Sequence, residues 1–230
     1  MRIRLLASAA ALATLTGCDA GPNFDTPAPP DLVPLAVGNE WVMEGTRIYA
    51  DRPGLPPRED VPLGLDTLRV VGDTLIDGER WFDVRRVQGT GFDCHGGWYA
   101  NREGSLYSWS PPAGAIMRAP TGPFTPASIV ERQYDFEVRR TLLPEPGQIE
   151  VGGETLSTRR VEFAPLRYFA EDTPGIESID ETVREVDEYV PGVGFAVSEC
   201  SYISINPDGD AFTLAIVDRY VLRDYTLVGE

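Results

Sequence analysis

Along most of the chain, apolar and polar residues alternate one by one, which is the pattern of strands with one buried and one solvated face. The clearest case is the stretch 134–139, in which every second residue is apolar and the others are charged. Segments of this kind are short and are separated by turn residues. We therefore predict an all-β fold of about 10 to 12 antiparallel strands in a meander, forming a curved sheet or a partly open barrel with at most one short helix.

Turn signals divide the apolar segments into hairpins. Asp77-Gly78 and Gly152-Gly153 each stand between two apolar segments, and the polar link 206–210 stands between two more. Asp-Gly and Gly-Gly suit tight antiparallel turns because those turns need positive φ angles. We expect each of these segment pairs to form neighbouring strands.

Two regions are harder to interpret. Residues 174–186 place apolar side chains at helical spacing, but these side chains are β-branched, and Pro191-Gly192 ends any element beyond them. We predict a strand over 182–190 and leave 174–186 open between helix and strand. The run 110–125 is rich in Pro and Gly, and we expect a long surface loop there.

The first residues of the chain predict export. Arg2 and Arg4 precede an apolar run, 5–15, that is too short to span a bilayer but suits a secretory signal. The run ends in Leu-Thr-Gly before Cys18, which resembles the lipobox of bacterial lipoproteins. That resemblance implies a signal peptide over 1–17 and acylation of Cys18, including palmitate. The alternative is an ordinary cleaved signal in which Cys18 stands by chance.

The segment after the signal predicts an anchor with a spacer. Residues 18–34 contain five prolines, so we expect an extended tether, followed by a single all-β domain over 35–230. Several acyl chains on one residue hold a protein durably on a membrane, which is the partner that the lipid implies. We expect an extracytoplasmic location in the cell envelope, with the outer membrane or cell surface favoured. The inner membrane stays an alternative location, because Asp19 after the acylated cysteine resembles a signal for retention in that membrane.

Charge excludes one class of partner. The 230 residues contain 36 acids against 20 basic residues, every one of them Arg, and the net charge is -16. Such a surface repels phosphates, so we expect no nucleic-acid partner.

The remaining cysteines predict a disulfide bond. With Cys18 acylated, Cys94 and Cys200 form an even pair in an oxidising compartment, which favours one disulfide. The alternative makes Cys94 and His95 half of a metal or nucleophile site, but no second histidine supports it. The sequence also lacks the G-x-S-x-G motif. We expect no catalytic residues, no metal and no cofactor.

Three weaker signals concern ligands. The aromatic residues Trp98, Tyr99, Tyr107 and Trp109 could contact a ligand, although core packing is the commoner role. Asp208 and Asp210 resemble a fragment of a calcium loop, but the turn chemistry favours a polar hairpin turn. The acidic stretch 171–188 is more typical of a solvated face than of a cation site.

Two longer motifs carry a family resemblance. Pro34–Trp41 follows the pattern P-L-x-x-G-N-x-W, and Tyr189–Val197 resembles Y-x-x-G-V-G-x-V, with a small departure at Ala196. Both patterns are similar to uncharacterised all-β surface lipoproteins of the Bacteroidota type. The resemblance implies a location and an architecture, but it implies no activity and no site residues.

These observations favour a non-enzymatic interaction or ligand-binding module anchored in the envelope, with an envelope protein or a small hydrophobic or sugar ligand as partner. One alternative is a carrier of a lipid or other hydrophobic ligand in a curved-sheet cavity. A second alternative is a glycoside hydrolase that uses a pair of carboxylates. The sequence leaves the oligomeric state open.

Overall fold

A computed structural model describes residues 31–49, 58–89, 96–111, 113–121, 128–133, 136–168, 184–205 and 212–228, in which there are thirteen strands and no helix. The strands are β1 (Glu40–Tyr49), β2 (Val61–Ile76), β3 (Glu79–Gln88), β4 (Gly97–Arg102), β5 (Ser105–Ser110), β6 (Gly114–Ala119), β7 (Ser128–Gln133), β8 (Phe136–Leu142), β9 (Gly147–Val151), β10 (Glu154–Tyr168), β11 (Glu185–Val190), β12 (Gly194–Ile205) and β13 (Phe212–Thr226). The predicted all-β class is confirmed. No described residue lies in a helix that could cross a membrane.

All thirteen strands belong to one antiparallel sheet. Its order is β6-β5-β4-β3-β2-β1-β13-β12-β11-β10-β8-β7, and β9 pairs with β10 outside this path. The chain therefore forms two meanders that start from a central pair, the first and the last strand. The sheet curves without closing, since β6 and β7 remain its edges. Edge strand β6 nevertheless approaches β11 across the concave side of the sheet. The side chains of Arg118 on β6 and Asp187 on β11 lie 3.9 Å apart.

The predicted hairpins are present. Asp77 and Gly78 have φ angles of 53° and 84° between β2 and β3, and Gly152 and Gly153 have 60° and 88° between β9 and β10. Strands β12 and β13 also pair, although their link, 206–211, lies outside the described residues.

The regions that were harder to interpret have different outcomes. Within 182–190, residues 185–190 form β11, whereas most of 174–186 lies outside the described residues. The expected surface loop at 110–125 is wrong over Gly114–Ala119, which is β6. This strand explains why the sheet has one strand more than the upper end of our expectation. Its small residues do not signal a strand, and its backbone is held by pairing with β5.

The folded part extends further towards the N-terminus than position 35. Leu32 and Val33, which the proline-rich sequence places in the tether, are buried in the core. The Asp31 carbonyl accepts a hydrogen bond of 2.9 Å from the Gly192 amide, and the Val33 carbonyl accepts one from Asn101. The segment before β1 therefore covers one end of the curved sheet.

The core at that end is built on the two longer motifs. Trp41 is fully buried, and its indole N–H donates a hydrogen bond of 2.6 Å to the Val193 carbonyl. Its ring meets that of Phe195 edge to face at 5.2 Å, and Phe195 in turn contacts Tyr99 and Tyr189. The motifs at 34–41 and 189–197 thus form a single packing unit.

The other end of the inner face carries charge. Arg47 and Asp218 are opposite each other on β1 and β13 and form two hydrogen bonds of 2.7 and 2.8 Å, and Asp218 is fully buried. The interior therefore changes from aromatic at one end of the sheet to ionic at the other.

Gly194 should be the least replaceable glycine of this packing unit. A Cβ at Gly194 would lie 2.7 Å from the Trp41 indole nitrogen, and the φ of +117° adds backbone strain. We expect Gly194→Ala to lower the free energy of unfolding by about 2 to 4 kcal/mol, combining strain with overpacking. Urea unfolding followed by tryptophan fluorescence measures this loss.

Gly153→Ala is the matched control, because Gly153 has a φ of +88° and nothing within 4 Å of its Cβ position. It should cost about 1 kcal/mol from backbone strain alone. Equal losses in the two variants would show that the contact with Trp41 is unimportant.

Candidate functional site

The candidate site begins where β11 and β12 separate. Near their hairpin the two strands pair at Val190 with Gly194, Tyr189 with Phe195, and Glu188 with Val197. Beyond Glu188 no further β11–β12 pair occurs in the described residues. Strand β11 still pairs with β10 as far as Glu185. The sheet therefore has an opening between two of its inner strands.

Carboxylates take the place of the missing backbone partners. Glu185 accepts a hydrogen bond of 2.7 Å from the Ser201 amide, and Glu199 accepts one of 2.9 Å from the Val186 amide. Asp187 accepts bonds of 2.6 Å from the Ser198 hydroxyl and 3.4 Å from the Glu199 amide. These bonds satisfy amides that would otherwise be left without partners, and they hold three carboxylates along the opening.

A cavity of about 250 Å³ lies at this opening. Residues from both faces of β12 line it, which requires that no neighbouring strand blocks the way. The described lining residues are Arg118, Arg140, Val161, Phe163, Glu185, Asp187, Ser198, Glu199, Cys200 and Ser201. The cavity thus combines acids, bases, hydroxyls and an aromatic ring.

Opposite charges occupy different walls of the cavity. Arg118 comes from β6 and Arg140 from β8, whereas the carboxylates come from β11 and β12. Arg140 is only 2% exposed, and its guanidinium lies 5.3 Å from the centre of the Phe163 ring. Strand β10 lies between the acidic strands and β8, and it contributes the apolar side chains of Val161 and Phe163.

The surroundings change the proton affinities of the acidic wall. Burial raises the pKa of Glu185 to about 7, although the hydrogen bond from the Ser201 amide opposes this effect. Burial also raises the pKa of Glu199, against the hydrogen bond from Val186. Glu185 therefore changes its charge near neutral pH, unlike an ordinary glutamate.

Arg118 provides a permanent positive charge on the opposite wall. Burial alone would lower its pKa, but acidic groups facing it, Tyr99 and Asp187 foremost, outweigh burial and raise the pKa. Its guanidinium lies 3.9 Å from Asp187, too long for a direct hydrogen bond.

The structure separates the four candidate aromatic residues. Tyr99 is buried and points into the core, where it contacts Phe195. Trp98 and Trp109 are opposite each other on β4 and β5 and, like Tyr107, belong to the other face of the sheet. There Trp109 packs against Trp81, a buried residue that sequence reasoning did not single out.

An arginine completes this outer cluster. The Arg102 guanidinium lies 4.8 Å from the centre of the Trp81 ring and 4.9 Å from that of Tyr107. Trp98, Tyr107 and Trp109 are partly exposed. None of the four predicted aromatic residues lines the cavity between β11 and β12.

Several predicted site residues lie outside the described residues: Cys18, Cys94, His95, Asp208 and Asp210. Lipidation at Cys18, the link from Cys94 to Cys200 and the calcium candidate therefore stay predictions. Cys200 itself is buried on β12 beside the cavity. Among the described residues, no group of His, Cys, Asp or Glu is arranged to hold a metal ion.

Sequence reasoning missed the residues that form the cavity. The sequence favours a solvated face over 171–188, but in the described part of that stretch Glu185 and Asp187 line the cavity. Alternation places Glu185 and Asp187 on the same face as Tyr189, which the structure shows to be buried. The sequence did not select that face, because Val186 and Val190 lie on the other one. No signal indicated Arg118, which lies in the predicted surface loop.

Comparisons with known proteins find similarity in solved structures only. No protein-family model matches the chain, and no curated protein matches it significantly. One similar structure is described as a "putative lipoprotein" from Parabacteroides distasonis, with 10% identity and a TM-score of 0.40 over 86% of this chain and 99% of the other. Another is a "putative exported protein with YmcC-like fold" from Bacteroides fragilis, with 11% identity and a TM-score of 0.42 over 86% of this chain and all of the other.

Glu185 should make stability depend on pH. Below about pH 4.5 its carboxyl is protonated in the folded and unfolded states alike, whereas between 4.5 and 7 only the unfolded state ionises. The folded state then binds more protons, so the free energy of unfolding falls as pH rises through this window. Glu185→Gln should remove most of this loss and be more stable than the wild type at pH 8, by about 1 to 3 kcal/mol.

Chemical unfolding at pH 4.5, 6 and 8 tests this expectation. Glu150→Gln is the control, because Glu150 is exposed on β9 and its replacement should leave the pH dependence unchanged. If Glu185→Gln and the wild type lose stability in parallel between pH 4.5 and 8, the effect does not come from Glu185.

Proposed function

We propose that this chain is a lipid-anchored binding protein of the bacterial cell envelope, without catalytic activity, which holds a small polar molecule in the cavity between β11 and β12. The observation that carries the proposal is the cavity itself, lined by two arginines and three carboxylates. These side chains have partners within the protein, such as the amides that donate to Glu185 and Glu199, and they also surround an open space. A small polar molecule in that space gains hydrogen bonds and ion pairs from both walls, which supports a binding role.

The location rests on the N-terminal sequence. A lipobox ending at Cys18, a proline-rich tether and the resemblance to surface lipoproteins all support anchoring at the outer membrane or cell surface. Asp31, which belongs to the tether, lies next to the Pro191–Gly194 turn, whereas the cavity lies at the opposite end of β11. The tether therefore joins the domain at the end away from the cavity.

The alternative role as a carrier of a hydrophobic ligand finds less support. At the Trp41 end the inner face is filled by aromatic rings, and the cavity at the other end is charged. A wider hollow of about 630 Å³ beside β9 is more apolar, but Pro144 and Pro146 on its rim are exposed. It is a surface depression, and a lipid chain needs an enclosed apolar space.

Glycoside hydrolysis also finds less support. The mechanism needs two carboxyl groups on opposite sides of the bond that breaks. Here Glu185, Asp187 and Glu199 line the same wall on the neighbouring strands β11 and β12, and all three accept hydrogen bonds from backbone amides. The opposite wall carries Arg118 and Arg140, which cannot act as the second carboxylate.

Removal of the acylated residue tests the anchor. Cys18→Ala should move the protein from the membrane fraction to the soluble fraction, because the acyl chains supply the membrane affinity. Ser8→Ala, a change within the leader that leaves the lipobox intact, should fractionate like the wild type. If Cys18→Ala stays in the membrane fraction, lipidation is not the anchor.

Native mass spectrometry tests the cavity. The full chain, purified gently from its own envelope, should carry one small polar molecule that a protein-free detergent control lacks. Arg118→Met should lose this molecule, because it removes a charge from the cavity wall. Arg223→Met, which changes an exposed arginine on β13, should retain it. The binding role is contradicted if the wild type carries no small molecule, or if both variants retain it equally.

A further inference from the structure

The cavity charges point to a particular ligand chemistry, and this inference rests on the binding function proposed above. We infer that the ligand is a small zwitterion. Its carboxylate faces Arg118 and Arg140, and its ammonium group faces the carboxylates of Glu185, Asp187 and Glu199. Free amino acids and short peptides share this chemistry. Nothing in the sequence motifs indicates it, since the two walls come together only in the folded sheet.

One row across the sheet sets the spacing of the charges. Arg140 on β8 is directly opposite Phe163 on β10, and Phe163 is directly opposite Glu185 on β11. Neighbouring strands lie about 4.8 Å apart, so the backbones that carry the arginine and the glutamate are about 10 Å apart. Both side chains line the same cavity, and the Phe163 ring lies between their strands. The Arg140 guanidinium itself lies over this ring, 5.3 Å from its centre, so a ligand in the cavity has this positive group towards β8 and Glu185 towards β11.

The arrangement disfavours ligands with a single charge. An anion that reaches the arginines would lie close to Asp187 and Glu185, and a cation at the carboxylates would lie close to Arg118. Like charges in a partly buried site repel strongly because water screens them little. A ligand with both charges meets an opposite charge at each wall and avoids either repulsion.

The size of the cavity limits the ligand. Its volume of about 250 Å³ is slightly below the usual range for small-molecule pockets, which is roughly 300 to 1,000 Å³. A free amino acid or a dipeptide is of this scale, whereas a lipid or an oligosaccharide is larger. Val161 and Phe163 provide an apolar surface for the uncharged part of such a molecule.

A charge-deletion series tests the inference. Isothermal titration of the full lipidated chain in detergent at pH 8 compares a panel of free amino acids with a panel of dipeptides, and glucose serves as a neutral polar control. For the tightest binder, the N-acetyl derivative lacks the ammonium group and the amide derivative lacks the carboxylate. We expect each derivative to bind at least tenfold more weakly than the parent, and glucose not to bind. The stronger of the two panels identifies the source of the ligand.

Variants of each wall assign the charges. Glu185→Gln should weaken the parent zwitterion about tenfold but change binding of the N-acetyl derivative less than twofold, because that derivative has no ammonium group. Arg118→Met should weaken binding of the parent zwitterion about tenfold. It should change binding of the amide derivative less than twofold, because that derivative has no carboxylate. Arg223→Met, on the exposed side of β13, should change neither. Circular dichroism of each variant verifies that the fold is retained.

The results separate this inference from the proposed function. If blocked derivatives bind as tightly as their parents, or if neither panel binds, the ligand is not a zwitterion. A sugar or another uncharged molecule found by native mass spectrometry would overturn the zwitterion and leave the binding function standing. Absence of any molecule in that experiment, together with no binding in the titrations, would overturn both.

Discussion

The hydrogen bond from the Trp41 indole to the Val193 carbonyl is the contact on which the rest of the structure depends. It joins residues 152 positions apart, the first strand and the hairpin between β11 and β12. The indole fits because Gly194 has no Cβ, and Phe195 then meets the indole edge to face. Burying a tryptophan costs less when its N–H has a hydrogen-bond partner, and here the partner is a carbonyl in a turn. This unit fills one end of the curved sheet.

Because one end is filled by aromatic rings, β11 and β12 are held together there and can separate further along. In the described part of the chain, the two strands form only three residue pairs next to the hairpin. Beyond these pairs, carboxylates accept the hydrogen bonds of their backbone amides, and the cavity opens between the strands. The cost of burying these carboxylates is reduced by amide donors and by the arginines opposite. The packing at Trp41 and the polar opening are therefore linked parts of one arrangement.

Local patterns predicted the fold well where turns and alternation are strong. The turns at Asp77-Gly78 and Gly152-Gly153 have the positive φ angles that glycine and aspartate tolerate, so their hairpins could be recognised. Strand β6 could not, because its Gly, Ala and Met residues do not alternate and are held by pairing with β5. The candidate site, like the fold, was only partly predictable from local patterns. Glu185 and Asp187 are on a predictable strand, but which face is buried depends on strands far away in the sequence.

The sequence by itself determined the all-β class, the main hairpins and the N-terminal features that indicate export and acylation. These follow from interactions between near neighbours, namely alternation along a strand, turn geometry and a short motif. Only the tertiary structure decided that Leu32 and Val33 belong to the core and that Tyr99, rather than its neighbour Trp98, faces the core. It also decided that arginines of β6 and β8 face acids of β11 and β12. The physical reason is that strand order and sheet curvature arise from long-range pairing, which no local pattern encodes.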